Sequence, residues 1–140
     1  MQDIIGIDPG KAGGIVRMSP TGEVIEAVKM PATVADIYLA LDRGPARVWL
    51  EHVHSSPQMG VVSAFTFGRG YGQLEGVLQG LLLPYERVTP GKWQRAMGCL
   101  SKGDKNVTKR RAQELFPQVK VTHAIADALL IAEYGRRQGL

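Results

Sequence analysis

An α/β fold built on a mixed sheet is what the sequence predicts, from three observations. A short apolar run, Ile4-Ile5-Gly6-Ile7, ends at Asp8 and is cut off by Pro9-Gly10, the pattern of a strand buried on both faces. Two further extended runs follow across turn-forming residues, as in a meander. A short helical pattern then leads to Arg47-Val48-Trp49-Leu50-Glu51, a second apolar run that also ends in an acid. Strand, crossover helix and strand imply a parallel pair with a right-handed connection, and such a pair makes neighbours of Asp8 and Glu51.

The remaining elements follow in order. Residues 15–18 and 23–30 flank Ser19-Pro20-Thr21-Gly22 and read as a hairpin. Thr33 with Asp36 three positions on resembles a helix N-cap, with Val34, Ile37 and Leu41 at helical spacing up to Gly44-Pro45. Residues 60–82 are helical in pattern but carry glycines at 68, 70, 72, 76 and 80. Interior glycine costs a helix roughly 0.5–1 kcal/mol relative to alanine, so this series predicts close approach to another element, or else a bent or broken helix. Gly68-Arg69-Gly70-Tyr71-Gly72 lacks the spacing and the preceding strand of a phosphate-binding loop. Residues 85–88 read as a fifth strand, and Thr89-Pro90 as the start of a helix ending near Gly98. A loop over residues 101–104, a basic helix over 105–116 and a last helix capped by Thr122 complete the chain, the last with an apolar stripe of Ile125, Ala128, Leu129 and Ala132.

A length of 140 residues suits one domain, residues 1–140, with one core. The longest apolar stretch, residues 77–83, is far short of the ~20 residues of a bilayer span, so no membrane anchor is expected. Met1-Gln2-Asp3 lacks the basic and apolar regions of a secretory signal, and the single Cys99 excludes an internal disulfide or a multi-cysteine zinc site. A reducing cytoplasm is the expected location. The formal charge of +4 says little by itself, but residues 87–111 hold eight of the 17 basic residues and one acid, Asp104. This excess is either a solvated face or a phosphate-binding surface.

An acid at the carboxyl end of a strand is a ligand site or a turn cap. Asp8 and Glu51 sit at two such ends, and Asp127 lies in the first turns of the last helix. Carboxylates brought together repel and partly protonate unless a cation neutralises them. Oxygen ligands without a cysteine set favour Mg²⁺ or Mn²⁺, and two such ions promote in-line phosphodiester hydrolysis. His123 shares a helix face with Asp127 and is a candidate ligand or water-positioning group, the alternative being a cap or phosphate contact. His52 and His54 have the spacing of a metal pair, but a loop beside a substrate channel fits phosphate or base contact better.

Ile5-Gly6-Ile7-Asp8-Pro9-Gly10, Leu50-Glu51, Gly72-Gln73-Leu74-Glu75-Gly76, Thr89-Pro90 with Lys92-Trp93, Gly103-Asp104-Lys105 and Ile125-Ala126-Asp127-Ala128-Leu129 occur in an order that resembles the RuvC-type Holliday junction resolvases over nearly the whole chain. Lys92-Trp93-Gln94, Leu115-Phe116-Pro117 and the short length look more like the compact phage versions.

The resemblance implies a ribonuclease H-like fold, a five-stranded mixed sheet of order 3-2-1-4-5 flanked by helices. It also implies a homodimer that nicks four-way DNA junctions in pairs with Mg²⁺ or Mn²⁺, two ions per site, in a bacterial cytosol or phage-infected host. Asp8, Glu51 and Asp127 match the family's carboxylates, and Lys105 matches a lysine near the scissile phosphate. The acid often found three residues before the last aspartate is Ala124 here; His123 stands four before it and is carried as a fourth catalytic and metal-binding candidate. Lys92, Arg95, Lys102, Lys105, Lys109, Arg110 and Arg111, with His52 and His54, are the expected DNA-binding residues. The loop after Glu51 lacks the family's stacking aromatic, Phe65 and Phe67 coming further on. The glycine-rich helix is the expected dimer contact. Competing functions are a fork- and flap-cutting debranching nuclease, a non-catalytic junction-binding module, and a ribonuclease acting on RNA·DNA hybrids.

Overall fold

The computed structural model describes residues 1–138 of the chain. A five-stranded mixed sheet has the order β3-β2-β1-β4-β5. Its strands are β1 (Asp3–Asp8), β2 (Gly14–Met18), β3 (Val24–Lys29), β4 (Ala46–Glu51) and β5 (Tyr85–Val88). The first three form the expected antiparallel meander, and β4 and β5 are each parallel to their inner neighbour. The helices are α1 (Val34–Leu41), α2 (Val61–Gly80), α3 (Pro90–Ala96), α4 (Lys105–Leu115) and α5 (His123–Gln138). No helix among the described residues is long and apolar enough to cross a membrane.

Strand alternation divides the core into two layers. Ile5, Ile7, Val48 and Leu50 face one way and pack with Leu41 of α1 and with Leu74 and Leu78 of α2. Ile4, Val16, Met18 and Trp49 face the other way, onto α3, α4 and α5. Gly6, Asp8 and Glu51 belong by parity to this second face.

The helix starts are set locally. The Thr33 hydroxyl accepts from the Asp36 N–H, as expected from the capping pattern, and Asp104 accepts from Asn106 N–H to begin α4. Pro90 occupies the first turn of α3, where its missing N–H costs nothing.

Two helices differ from expectation. Beyond its predicted stripe, α5 buries Ala126, Leu130, Ile131, Glu133, Tyr134 and Gly135 as well. It lies across the middle of the sheet with α3 and α4 over it, so almost every side of it meets protein. Close seating comes from glycine: a Cβ on Gly6 would overlap the backbone of Ala128 and Ala132, and one on Gly14 would stand 2.6 Å from the Ala124 carbonyl. Glu133 tolerates burial because Arg136 and Arg137 donate to it at 2.7–2.8 Å, which outweighs desolvation and holds its carboxyl below the usual range.

The glycines of α2 do the opposite of what their number predicts. The helix is one continuous 20-residue segment, neither broken nor in close approach within the chain. A Cβ at Gly68, Gly70, Gly72, Gly76 or Gly80 would meet nothing within 4 Å. The sheet side of α2 is held by Leu74 and Leu78, and the glycines lie away from it.

Candidate active site

Register places the first two acids. Ile7 of β1 pairs with Leu50 of β4, so the next residues along these parallel strands, Asp8 and Glu51, end side by side on the α5 face. Both are buried, each 8% exposed. The two carboxyls adjoin one another closely enough that each shifts the other's ionisation. Burial first, then the negative charges of Glu51 and Asp127, pushes the Asp8 carboxyl up to about 8. Glu51 is also raised, chiefly by burial, against the opposing hydrogen bond from Trp93.

The third acid comes from α5. Asp127 is half-buried, one helical turn beyond the exposed His123, and its charge reaches both strand-end acids. Lys105, the first residue of α4, is exposed, and its charge lowers both Asp8 and Glu51. One end of the sheet therefore gathers three acids and a lysine from β1, β4, α5 and α4.

Oxygen donors of this kind fit a hard divalent ion, and the raised Asp8 carboxyl is the electrostatic cost that such an ion relieves. The fit is to an open site: among the described residues no three His, Cys, Asp or Glu side chains are grouped tightly enough to enclose an ion. Asp8 and Glu51 are neighbours through the β1–β4 register, and His123 is exposed at the helix start.

Sequence reasoning gave no role to two residues that hold Glu51. The fully buried Trp93 donates its indole N–H to Glu51 Oε2 at 2.8 Å. Tyr71 of α2 donates its hydroxyl to the Glu51 carbonyl at 3.0 Å. Burial, then the charge of Glu75, pushes the Tyr71 phenol up to about 12, so it remains a donor. The signal for Trp93 was present in Thr89-Pro90 followed by Lys92-Trp93: a buried tryptophan needs a partner for its N–H, and a strand-end acid is one.

The basic candidates separate. Lys92, Arg95, Lys102 and Arg110 are exposed, Lys109 is half-buried on α4, and Lys102 adopts a positive φ of 51° in the loop before α4. Arg111 is engaged internally, donating to the Met97 carbonyl at 2.8 Å and pairing with Glu114 at 3.4 Å, and so ties α4 to the end of α3. His52 continues the β4 ladder by donating its backbone N–H to Val88, and its ring lies edge-on to His54 with centroids 6.3 Å apart.

Among solved structures, the chain is similar to Thermus thermophilus RuvC in complex with a Holliday junction substrate, with 19% identity and a TM-score of 0.71 over 99% of this chain and 97% of that one. The fold is that of RuvC. A second Thermus thermophilus RuvC structure agrees, with 20% identity and a TM-score of 0.68 over 98% and 96% of the two chains. No family model and no curated protein matches the sequence. The strand order and mixed pairing are those expected for a ribonuclease H-like fold, and the agreement with RuvC runs over nearly the full length of both chains.

Proposed function

We propose that this protein is a structure-specific DNA endonuclease that resolves four-way junctions by divalent-metal-dependent phosphodiester hydrolysis. The carrying observation is the buried Asp8–Glu51 pair with Asp127 and Lys105 beside it, set in a RuvC fold. A purely structural carboxyl pair would gain nothing from a third acid; a cation and a phosphodiester give all three a purpose.

Asp8, Glu51 and Asp127 are the residues that would hold Mg²⁺ or Mn²⁺, with His123 at the rim. Divalent ions bound there supply activation of the attacking water and neutralisation of the leaving oxygen. The chain's own contribution is preorganisation. Asp8 would give up its proton on holding such an ion, and Trp93 fixes the rotamer of Glu51. The Lys105 ammonium, whose charge reaches Asp8 and Glu51, would offset charge growing on the scissile phosphate. His123 is exposed and free to meet that phosphate or its water.

Paired cuts in two strands require two sites related by a twofold axis, which an isologous homodimer provides. Support for a dimer comes from α2. Gly68, Gly72, Gly76 and Gly80 recur every fourth residue on an uncovered surface, and Val61 and Phe65 extend it at 87% and 72% exposed. Small residues in this spacing allow two helix backbones to approach closely.

The test is cleavage of end-labelled four-way junction, three-way fork and linear duplex in Mg²⁺, with Asp8→Asn as control. Paired nicks restricted to the four-way junction are expected. Equal cutting of all branched forms would make it a debranching nuclease, and binding without cutting in either Mg²⁺ or Mn²⁺ would remove the catalytic reading.

A further inference from the structure

We propose that Tyr71 is a positioning residue of the carboxylate site: its hydroxyl replaces a sheet hydrogen bond that Pro9 cannot supply, and so fixes the main chain from which Glu51 reaches a metal ion. This rests on the nuclease reading and deepens it by a residue outside the acidic cluster.

The missing bond follows from register. Val48 and His52 donate their backbone N–H groups toward β5, to the carbonyls of Pro84 and Val88 at 2.9 and 2.7 Å. In a parallel ladder the residues between them turn both backbone groups to the other neighbour, so Trp49 and Glu51 face β1. With Ile7 opposite Leu50, the Trp49 carbonyl accepts from the Ile7 N–H, and the Glu51 N–H donates to the Ile7 carbonyl. One step further, the Glu51 carbonyl would accept from residue 9. That residue is Pro9, which has no N–H. The paired register accordingly ends at Ile7 and Leu50, one residue short of the two acids.

The opposite layer supplies the donor instead. Tyr71 of α2 donates its hydroxyl to the Glu51 carbonyl at 3.0 Å. Its ring packs against the cluster that contains Ile7 and Leu50, and the buried Leu74 and Leu78, one and two turns on, hold that side of α2 to the sheet. The hydroxyl is therefore presented by a regular helix, whereas the chain at 52–59 that follows Glu51 is irregular.

What the contact opposes gives it a role. Carboxylates at adjacent strand ends repel, and here they do so where the ladder between the strands has lost its next bond. Trp93 holds the Glu51 carboxylate, and Tyr71 holds the backbone that carries it. A shift of about 1 Å in a reacting geometry can cost on the order of 10² in rate. Tyr85 provides the contrast: its hydroxyl donates to Glu75 at 2.8 Å and accepts from Gln79 at 3.0 Å, joining α2 to β5 without touching Glu51.

The experiment compares the full-length wild type, Tyr71→Phe, Tyr85→Phe and a chain with 4-aminophenylalanine in place of Tyr71, which restores a neutral donor at the ring tip. Mn²⁺ binding is titrated without DNA by the EPR signal of the free ion, and kcat and KM are measured on a four-way junction at one fixed Mn²⁺ concentration. Tyr71→Phe is expected to weaken Mn²⁺ binding and lower kcat, each by roughly 10–100-fold, with KM unchanged. The amino ring should restore both, and Tyr85→Phe should match wild type. A wild-type Mn²⁺ affinity or a wild-type kcat in Tyr71→Phe would overturn the proposal, as would an equal loss in Tyr85→Phe or no recovery with the amino ring. A wild-type chain that leaves the junction uncut would instead overturn the nuclease reading, and the Mn²⁺ comparison would still decide the role of Tyr71.

Discussion

Trp93 and Glu51 are joined by a 2.8 Å hydrogen bond between two buried side chains that lie 42 residues apart in sequence. The indole can only donate and the carboxylate can only accept, so the bond fixes which way Glu51 points. Trp93→Phe keeps an aromatic ring but deletes the donor. A hydrogen bond to a charged group is worth about 1.5–3 kcal/mol, and thermal unfolding should report a loss of that order. Cleavage should fall further than stability alone explains while junction affinity is kept; unchanged turnover would show that Glu51 needs no such support.

Asp8→Asn and Asp127→Asn should reduce cleavage by on the order of 10² or more while junction binding persists. Gel-shift and nicking assays on the same preparations separate the two effects. Asp8→Asn should also stabilise the metal-free fold at pH 8, since it removes a carboxylate that is otherwise forced to ionise beside Glu51.

The sign of the pH dependence follows from the raised Asp8 carboxyl. The unfolded chain releases this proton near 3.8, the ordinary value for aspartate, whereas the folded chain retains it until about 8. Across that window the folded state binds more protons, so stability falls as pH rises, by at most about 1.4 kcal/mol per pH unit for one proton. In EDTA the melting temperature should therefore drop between pH 5 and pH 8. Added Mg²⁺ should raise it more at pH 8 than at pH 5. An equal Mg²⁺ effect at both values would argue against binding at Asp8.

Gly6→Ala tests the seating of α5. The added methyl group would enter the backbone of Ala128 and Ala132, which cannot yield as a side chain tip can. Overpacking of this kind costs about 1–3 kcal/mol. Because α5 carries Asp127, activity should fall together with the melting temperature.

Gly72→Leu fills the uncovered surface of α2 without touching the core, since nothing in the chain lies within 4 Å of a Cβ there. If α2 forms the dimer contact, sedimentation should show a monomer with an ordinary melting temperature. Single nicks should then replace paired ones. A stable dimer in this variant would place the interface elsewhere.

The strand pattern was legible because each strand is short, apolar and closed by Pro, Gly or an acid, and the parallel pair followed from the intervening helix. Asp8, Glu51 and Asp127 could be placed together because strand ends and a helix start leave little freedom. α5 was only partly legible. Its alanines and glycine read as neutral positions in a periodicity, yet they are buried because α3 and α4 cover the side that a two-layer fold would leave wet. The α2 glycines read as a sign of close approach, a bend or a dimer contact; within the chain the helix is continuous and a Cβ at any of them meets nothing within 4 Å. Trp93 lay in a quoted motif without a role because its partner is distant in sequence. Arg111 looked like its basic neighbours, and only the Met97 carbonyl distinguishes it.

The central placement of α5 has a consequence for synthesis. Two of the acids leave the ribosome within the first 51 residues, but the helix that brings the third and seals one side of the sheet is translated last among the described elements. At about 5–20 residues per second, seconds pass in which β1 and β4 exist without it. A growing chain in this interval lacks Asp127 and, on the proposed function, has no means of cutting a strand. On the proposed function, cutting would have to wait for the closing helix.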